Sequence, residues 1–253
     1  MKELSKKIII GNWKMNLDFK SSISLAKNIS KHFSKIKTDH EVVVLPDFLS
    51  LSEVSKNLNK KVFCGTQDVS PFALGAYTGE ISLEALSQIG CQFVLIGHSE
   101  RRQYFSDEIL IADKIKNVLE NSKITPILCV GETWAQKKSN QTLKVITQQI
   151  KSALVKIKTL KDKKIIIAYE PVWAIGSGKI VSVEEAVLVH QEIKKIINKI
   201  FKNKLPLEFR VIYGGSVNLK NFLAFKNQPD ISGFLIGGSS LKASDFVKII
   251  NKF

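Results

Sequence analysis

Residues Ile165-Ile166-Ile167-Ala168-Tyr169-Glu170-Pro171-Val172-Trp173-Ala174-Ile175-Gly176-Ser177-Gly178-Lys179 form an apolar run that ends in one carboxylate and passes into a glycine-rich flap. A short continuous hydrophobic run of this kind reads as a strand covered on both faces. Pro171 biases the residue before it toward extended backbone, so Glu170 projects from the carboxyl end of that strand. The Pro-Val-Trp hinge, the small tip and the Lys179-Ile180-Val181 return that follow have the composition of a lid that closes over a substrate.

The same signature recurs outward in both directions, at Ile8 to Ile10, Val42 to Leu45, Val62 to Gly65, Phe93 to Ile96, Ile127 to Val130, Arg210 to Tyr213 and Phe234 to Ile236. Helical periodicity lies between the runs, as in Ile23, Ala26, Ile29 and Phe33, in Ile109, Ala112, Ile115 and Leu119, and in Val187, His190, Ile193 and Ile197. Eight strands alternating with helices in 253 residues fit the α/β class and a closed (β/α)8 barrel, for which roughly 250 residues is typical. No linker or composition step divides the chain, so residues 1–253 are expected to form a single catalytic domain. An open doubly wound sheet would be expected to carry GxGxxG after its first strand, where this chain has Gly11-Asn12-Trp13-Lys14. Polar residues with chemical potential follow strands one, four, six, seven and eight, which suits the top rim of a barrel.

The net charge of +15 suits approach of an anionic substrate. The lysines are scattered and not gathered into an aromatic-interleaved patch, so neither nucleic acid nor a membrane surface is expected as a partner. Among 38 basic residues only Arg101, Arg102 and Arg210 are arginine, which points to sites that need a planar, multidentate fork. Cys64, Cys91 and Cys129 are odd in number and lack a CxxC, arguing against a disulfide framework or zinc site and for a reducing cytoplasm. The apolar run behind the basic amino terminus is too short for a signal-peptide core, and no run reaches membrane-spanning length.

Candidate catalytic groups stand at the strand ends. Lys14, two residues from Asn12, would offer a point charge to a substrate oxyanion. His98 opens Gly97-His98-Ser99-Glu100-Arg101-Arg102 directly before a helix start, whose amide dipoles disfavour the imidazolium; a neutral ring can donate to a carbonyl oxygen and shuttle a proton. Gly214-Gly215-Ser216 and Gly237-Gly238-Ser239-Ser240 follow the last two strands, where barrels build phosphate sites from loop amides and a short helix terminus. The long segment Gln67 to Glu80 carries Val69, Phe72, Leu74 and Tyr77, an apolar content that suggests burial in a partner subunit.

From Asn12-Trp13-Lys14 to Gly237-Gly238 these motifs resemble the triosephosphate isomerase family, over nearly the full chain. The resemblance implies a TIM barrel that interconverts dihydroxyacetone phosphate and D-glyceraldehyde 3-phosphate through an enediol(ate), without metal or organic cofactor. It implies Glu170 as base, His98 as proton shuttle, and Lys14 and Asn12 as stabilisers of developing charge. Substrate would bind at Asn12, Lys14, Gly176, Ser216, Gly237 and Gly238. Tyr213 and Ser216 would latch the lid, with Glu132 receiving the Trp173 indole. The family is typically a homodimer, so Thr78 would approach the partner's Asn12–Lys14 region and Glu80 would pair with Arg101 across the interface. Another phosphosugar isomerase or aldolase on the same barrel, and a basic binding protein, are the competing readings; no strand carries a lysine suited to an aldolase's Schiff base.

The chain also departs from the family's usual pattern. Ser177 replaces the common Thr at the lid tip, Trp134-Ala135-Gln136-Lys137 replaces a Leu and charged run after Glu132-Thr133, and Tyr104 to Glu108 lacks a short insertion. Lys194 and Ser232 stand where an Arg and its Asp partner are often found, so this ion pair is expected to be missing.

Overall fold

The computed structural model describes residues 6–176, 179, 181–202 and 208–253. Eight parallel strands close into a barrel in sequence order: β1 (Ile8–Asn12), β2 (Glu41–Leu45), β3 (Val62–Thr66), β4 (Phe93–Ile96), β5 (Thr125–Val130), β6 (Lys164–Tyr169), β7 (Glu208–Tyr213) and β8 (Gly233–Ile236). Closure comes from β1 pairing with both β2 and β8, with Ile10 opposite Val43 on one side and Leu235 on the other. Each strand therefore has neighbours on both edges, and the backbone ladder leaves no free edge.

Alternate residues on each strand face opposite ways. Ile8, Ile10, Val43, Leu45, Phe93, Leu95, Ile127, Cys129, Ile166, Ala168, Ile212 and Leu235 fill the barrel interior as one buried cluster. Their neighbours Ile9, Val42, Val44, Val94, Leu128, Ile167 and Val211 join the helices in a second, outer cluster. Both faces of each strand are thus apolar, which explains the unbroken hydrophobic runs. Each such side chain withdrawn from water contributes about 1.5–3 kcal/mol. A filled interior leaves only the rims for chemistry.

The outer layer comprises α1 (Phe19–Phe33), α2 (Leu51–Asn57), α3 (Leu83–Gln88), α4 (Ser99–Tyr104), α5 (Ile111–Asn121), α6 (Trp134–Lys138), α7 (Thr142–Leu154), α8 (Val183–Phe201), α9 (Phe222–Lys226) and α10 (Ala243–Lys252). Side-chain caps set where several begin: Asp18 accepts from the Ser21 amide at 2.7 Å before α1, and Ser182 accepts from the Glu185 amide at 3.1 Å before α8.

One expectation needs correction. Ile109 does not share a helix with Ala112, Ile115 and Leu119; it is 80 % exposed on a 3-10 turn, Asp107–Leu110, and α5 begins at Ile111. The expected absence of a pair between positions 194 and 232 stands, but Lys194 finds another partner. Its ammonium lies 2.8 Å from Oδ1 of Asp230, whose Oδ2 accepts from Gln191 at 2.8 Å. Asp230 stands two positions before Ser232, within reach of the flexible lysine stem.

The three arginines occupy multidentate positions as expected. Arg101 joins Asp68 at 2.8 Å and Asp107 at 3.3 Å within its own chain, beside the buried Lys114 ammonium that bonds both carboxylates. Arg210 forks to Glu41 and Glu208 at the amino-terminal end of the barrel.

Candidate active site

The carboxyl ends of the strands converge on a cavity of about 360 Å³ lined by Asn12, Lys14, His98, Glu170, Gly176, Ser216, Gly237 and Gly238, among others. All eight residues singled out from the sequence therefore open onto one space.

Glu170 follows β6 directly and is 2 % exposed. Its amide donates to the Val130 carbonyl at 2.7 Å, which ties the backbone of the acid to β5. One carboxylate oxygen accepts from the Ser99 amide at 3.3 Å, and the other lies 3.3 Å from Nε2 of His98. Gly214 leaves the room this side chain needs: a Cβ there would come within 2.9 Å of Cγ of Glu170.

His98 is the N-cap of α4. Its Nδ1 accepts from the Glu100 amide at 3.3 Å, a role open only to a ring nitrogen without a proton. The ring proton of the neutral tautomer is then on Nε2, facing Glu170 and the cavity. Arg102 anchors this turn by donating from Nε to the Gly97 carbonyl at 2.7 Å and from Nη2 to the Cys129 carbonyl at 3.0 Å, with Glu108 on Nη1. Burial pulls the guanidinium below its ordinary pKa.

Lys14 sits at φ +54°, a left-handed conformation rarely taken by a side chain this long. Three contacts hold it there. Its amide donates to Oδ1 of Asn12 at 3.1 Å, its carbonyl accepts from Gln67 at 2.9 Å, and its ammonium meets Oε1 of Glu100 at 2.6 Å. The last partner was not singled out in the sequence, where Glu100 is one charge in a run of three. The lysine stem passes 3.9 Å from where a Cβ on Gly237 would stand, so the ammonium and the glycine turn share one wall.

Directly after Gly237, Gly238 begins a 3-10 helix, Gly238–Leu241, whose first amides have no intrahelical acceptor. Ser239 donates to the Val217 carbonyl at 3.3 Å, joining the turn after β8 to the one after β7. Backbone amides at a helix start beside a lysine make a cradle suited to a phosphate group.

The lid's first arm is anchored on both sides. Trp173 donates from Nε1 to Glu132 at 2.8 Å, and Ser216 donates to the Ala174 carbonyl. Glu132 is fully buried; burial raises its carboxyl, while hydrogen bonds from Trp173 and Tyr169 oppose the rise. Burial likewise pushes the Tyr213 phenol up, against the pull of the Val181 backbone facing its hydroxyl. Gly176 takes φ +66°, which its missing side chain permits. Ser177, Gly178 and Ile180 lie outside the described residues.

Comparison with known proteins follows the same lines. The family model described as triosephosphate isomerase matches residues 7–253. Curated proteins named triosephosphate isomerase are similar over almost the whole chain. That of Marinobacter nauticus is 39% identical over 251 residues, covering 99% of this chain and 98% of the relative. That of Chloroherpeton thalassium is 41% identical over 249 residues, 98% of each. That of Dictyoglomus turgidum is 42% identical over 249 residues, 98% of this chain and 99% of the relative.

Proposed function

Since the chain belongs to the triosephosphate isomerase family, an enzyme family of glycolysis and gluconeogenesis built on the (β/α)8 barrel, we propose that Glu170, His98, Lys14 and Asn12 carry its reaction. That reaction is the interconversion of dihydroxyacetone phosphate and D-glyceraldehyde 3-phosphate. Glu170 takes a proton from the carbon next to the carbonyl. His98, as a neutral donor through Nε2, polarises the carbonyl and moves protons between the two oxygens of the enediol. Lys14 and Asn12 face the negative charge that develops there. This pairing of a carboxylate base with an uncharged imidazole is the general solution described for this enzyme class.

The phosphate rests on Gly237 and Gly238, with Ser216 and Gly176 closing from the lid side. Ser216 on Ala174 and Tyr213 facing Val181 support the latch. A phosphorylated enediolate in water expels phosphate, so a dry closed site protects the intermediate.

The proposal extends to a cytoplasmic homodimer formed by one catalytic domain per chain, with Gln67 to Glu80 entering the partner. Supporting it, Phe72 and Tyr77 stack with centroids 4.2 Å apart yet remain 41 % and 45 % exposed, and Leu74 is 72 % exposed. No helix of the described residues is long and apolar enough to cross a membrane.

The observation that carries the assignment is the 3.3 Å approach of His98 Nε2 to Glu170 in the cavity that Lys14 also lines. A coupled assay of the two triose phosphates tests it. Replacing a general base costs roughly 10²–10⁴-fold, so Glu170→Gln should lose at least that much kcat with the fold intact. Full turnover by Glu170→Gln would exclude the assignment.

A further inference from the structure

Trp134 takes no part in the chemistry above, yet it touches the lid from outside the cavity. It opens α6, whose start is held by a capping box: the Thr133 amide donates to Gln136 Oε1 at 2.9 Å, and the Thr133 hydroxyl accepts from the Gln136 amide at 3.4 Å. Lys137 of the same helix pairs with Glu185 at the start of α8, so α6 is tied down at both ends. On this base the indole stands 42 % exposed, an unusual place for so large an apolar ring.

Its neighbours explain the placement. The Trp173 ring, in the lid's first arm, lies with its centroid 5.3 Å away at an interplanar angle of 50°. The ammonium of Lys179, in the second arm, lies over the Trp134 face at 4.5 Å from the centroid. Lys138 lies over the same ring at 5.5 Å. One indole thus meets both arms of the segment that carries Gly176, by an aromatic contact on one side and a cation on the ring face on the other. A leucine at this position could keep part of the first contact and none of the second.

We infer that Trp134 is a positioning residue for the reaction: it couples the two arms of the lid to the loop after β5, and so holds Gly176 over the phosphate while the enediolate exists. The inference rests on the isomerase reading. Its signature is chemical. Looser closure lets the enediolate eliminate phosphate: its oxyanion re-forms a carbonyl, the carbon–carbon double bond shifts to the phosphate-bearing carbon, and the carbon–oxygen bond breaks to release inorganic phosphate and an enol that tautomerises to methylglyoxal, in competition with reprotonation of the carbon. Trp134 should therefore govern how turnovers are partitioned more than how well the substrate binds.

The test compares the unaltered enzyme, Trp134→Leu and Trp134→Phe, measuring kcat, KM, thermal midpoint and inorganic phosphate released per isomerisation from D-glyceraldehyde 3-phosphate. Trp134→Leu should raise the phosphate fraction by about three- to tenfold, the scale of one aromatic and one cation–ring contact, with little change in KM. Trp134→Phe, which keeps a ring face for Lys179, should restore most of the difference. An unchanged phosphate fraction in Trp134→Leu, or a Phe variant as defective as the Leu variant at equal thermal midpoint, overturns the inference while leaving the isomerase reading intact. Absence of isomerisation by the unaltered enzyme overturns both.

Discussion

The ammonium of Lys14 lies 2.6 Å from Oε1 of Glu100, so the cation offered to the substrate already has a counter-ion at the mouth of the barrel. The pair is 24 % and 44 % exposed, which limits what it contributes by itself; partners this open to water are worth about 1 kcal/mol or less. Its value lies in aiming the lysine. Lys14→Met should lower kcat by about 10²–10³-fold, the usual cost of removing a group that meets developing charge. Glu100→Gln should lower kcat/KM by less than about tenfold, because the cation remains and only its tether is lost. Steady-state kinetics on both variants decide the point: equal losses would mean that Glu100 acts on the substrate and not through Lys14.

Much of this site was legible from the chain because the barrel makes strand order and rim position the same thing. Each continuous apolar run ends at the same face, so Asn12, His98, Glu170, Ser216 and Gly237 could be placed together without knowing a single contact. The runs matched β1 to β8 to within a few residues because both faces of each strand are buried. What stayed hidden depends on side-chain reach. Glu100 on Lys14 and Asp230 on Lys194 join residues 86 and 36 positions apart, and nothing in local sequence marks one carboxylate over its neighbours. Ile109 misled for a related reason, since an exposed apolar residue on a 3-10 turn has the spacing of a core residue on the helix behind it.

The apolar loop supplies the next prediction. Its ends are joined by the Ser70 amide donating to the Ile81 carbonyl at 2.9 Å, so the stacked Phe72 and Tyr77 project as a unit. Met15, beside Lys14, is 93 % exposed. Thr78→Arg puts a charge in the middle of the proposed contact. Sedimentation velocity should show the variant shifted from dimer toward monomer, with a parallel loss of kcat/KM as the Lys14 segment loses its support. A monomeric Thr78→Arg enzyme with full activity would rule out the interface.

Acid stability should carry the mark of His190. This side chain of α8 is fully buried, with Nδ1 donating to the Ala186 carbonyl at 2.6 Å and the Tyr169 ring edge-on at 5.9 Å. Burial, reinforced by the nearby Lys194 and opposed by the Ala186 carbonyl and Asp230, pulls its pKa from 6.5 down to about 4. The folded value lies below the unfolded one, so between these two pH values the unfolded chain binds the extra proton. Stability therefore falls as pH drops through that window and is unaffected by this group above it. The full shift corresponds to about 3 kcal/mol. Urea unfolding at pH 7, 5.5 and 4.5 should show this loss on top of that from the carboxylates. His190→Gln, which keeps an amide donor for Ala186 but does not titrate, should be less stable at pH 7 and lose less on acidification. An equal pH slope in the two proteins would show that His190 binds its proton equally in the folded and unfolded states, so that burial does not lower its pKa.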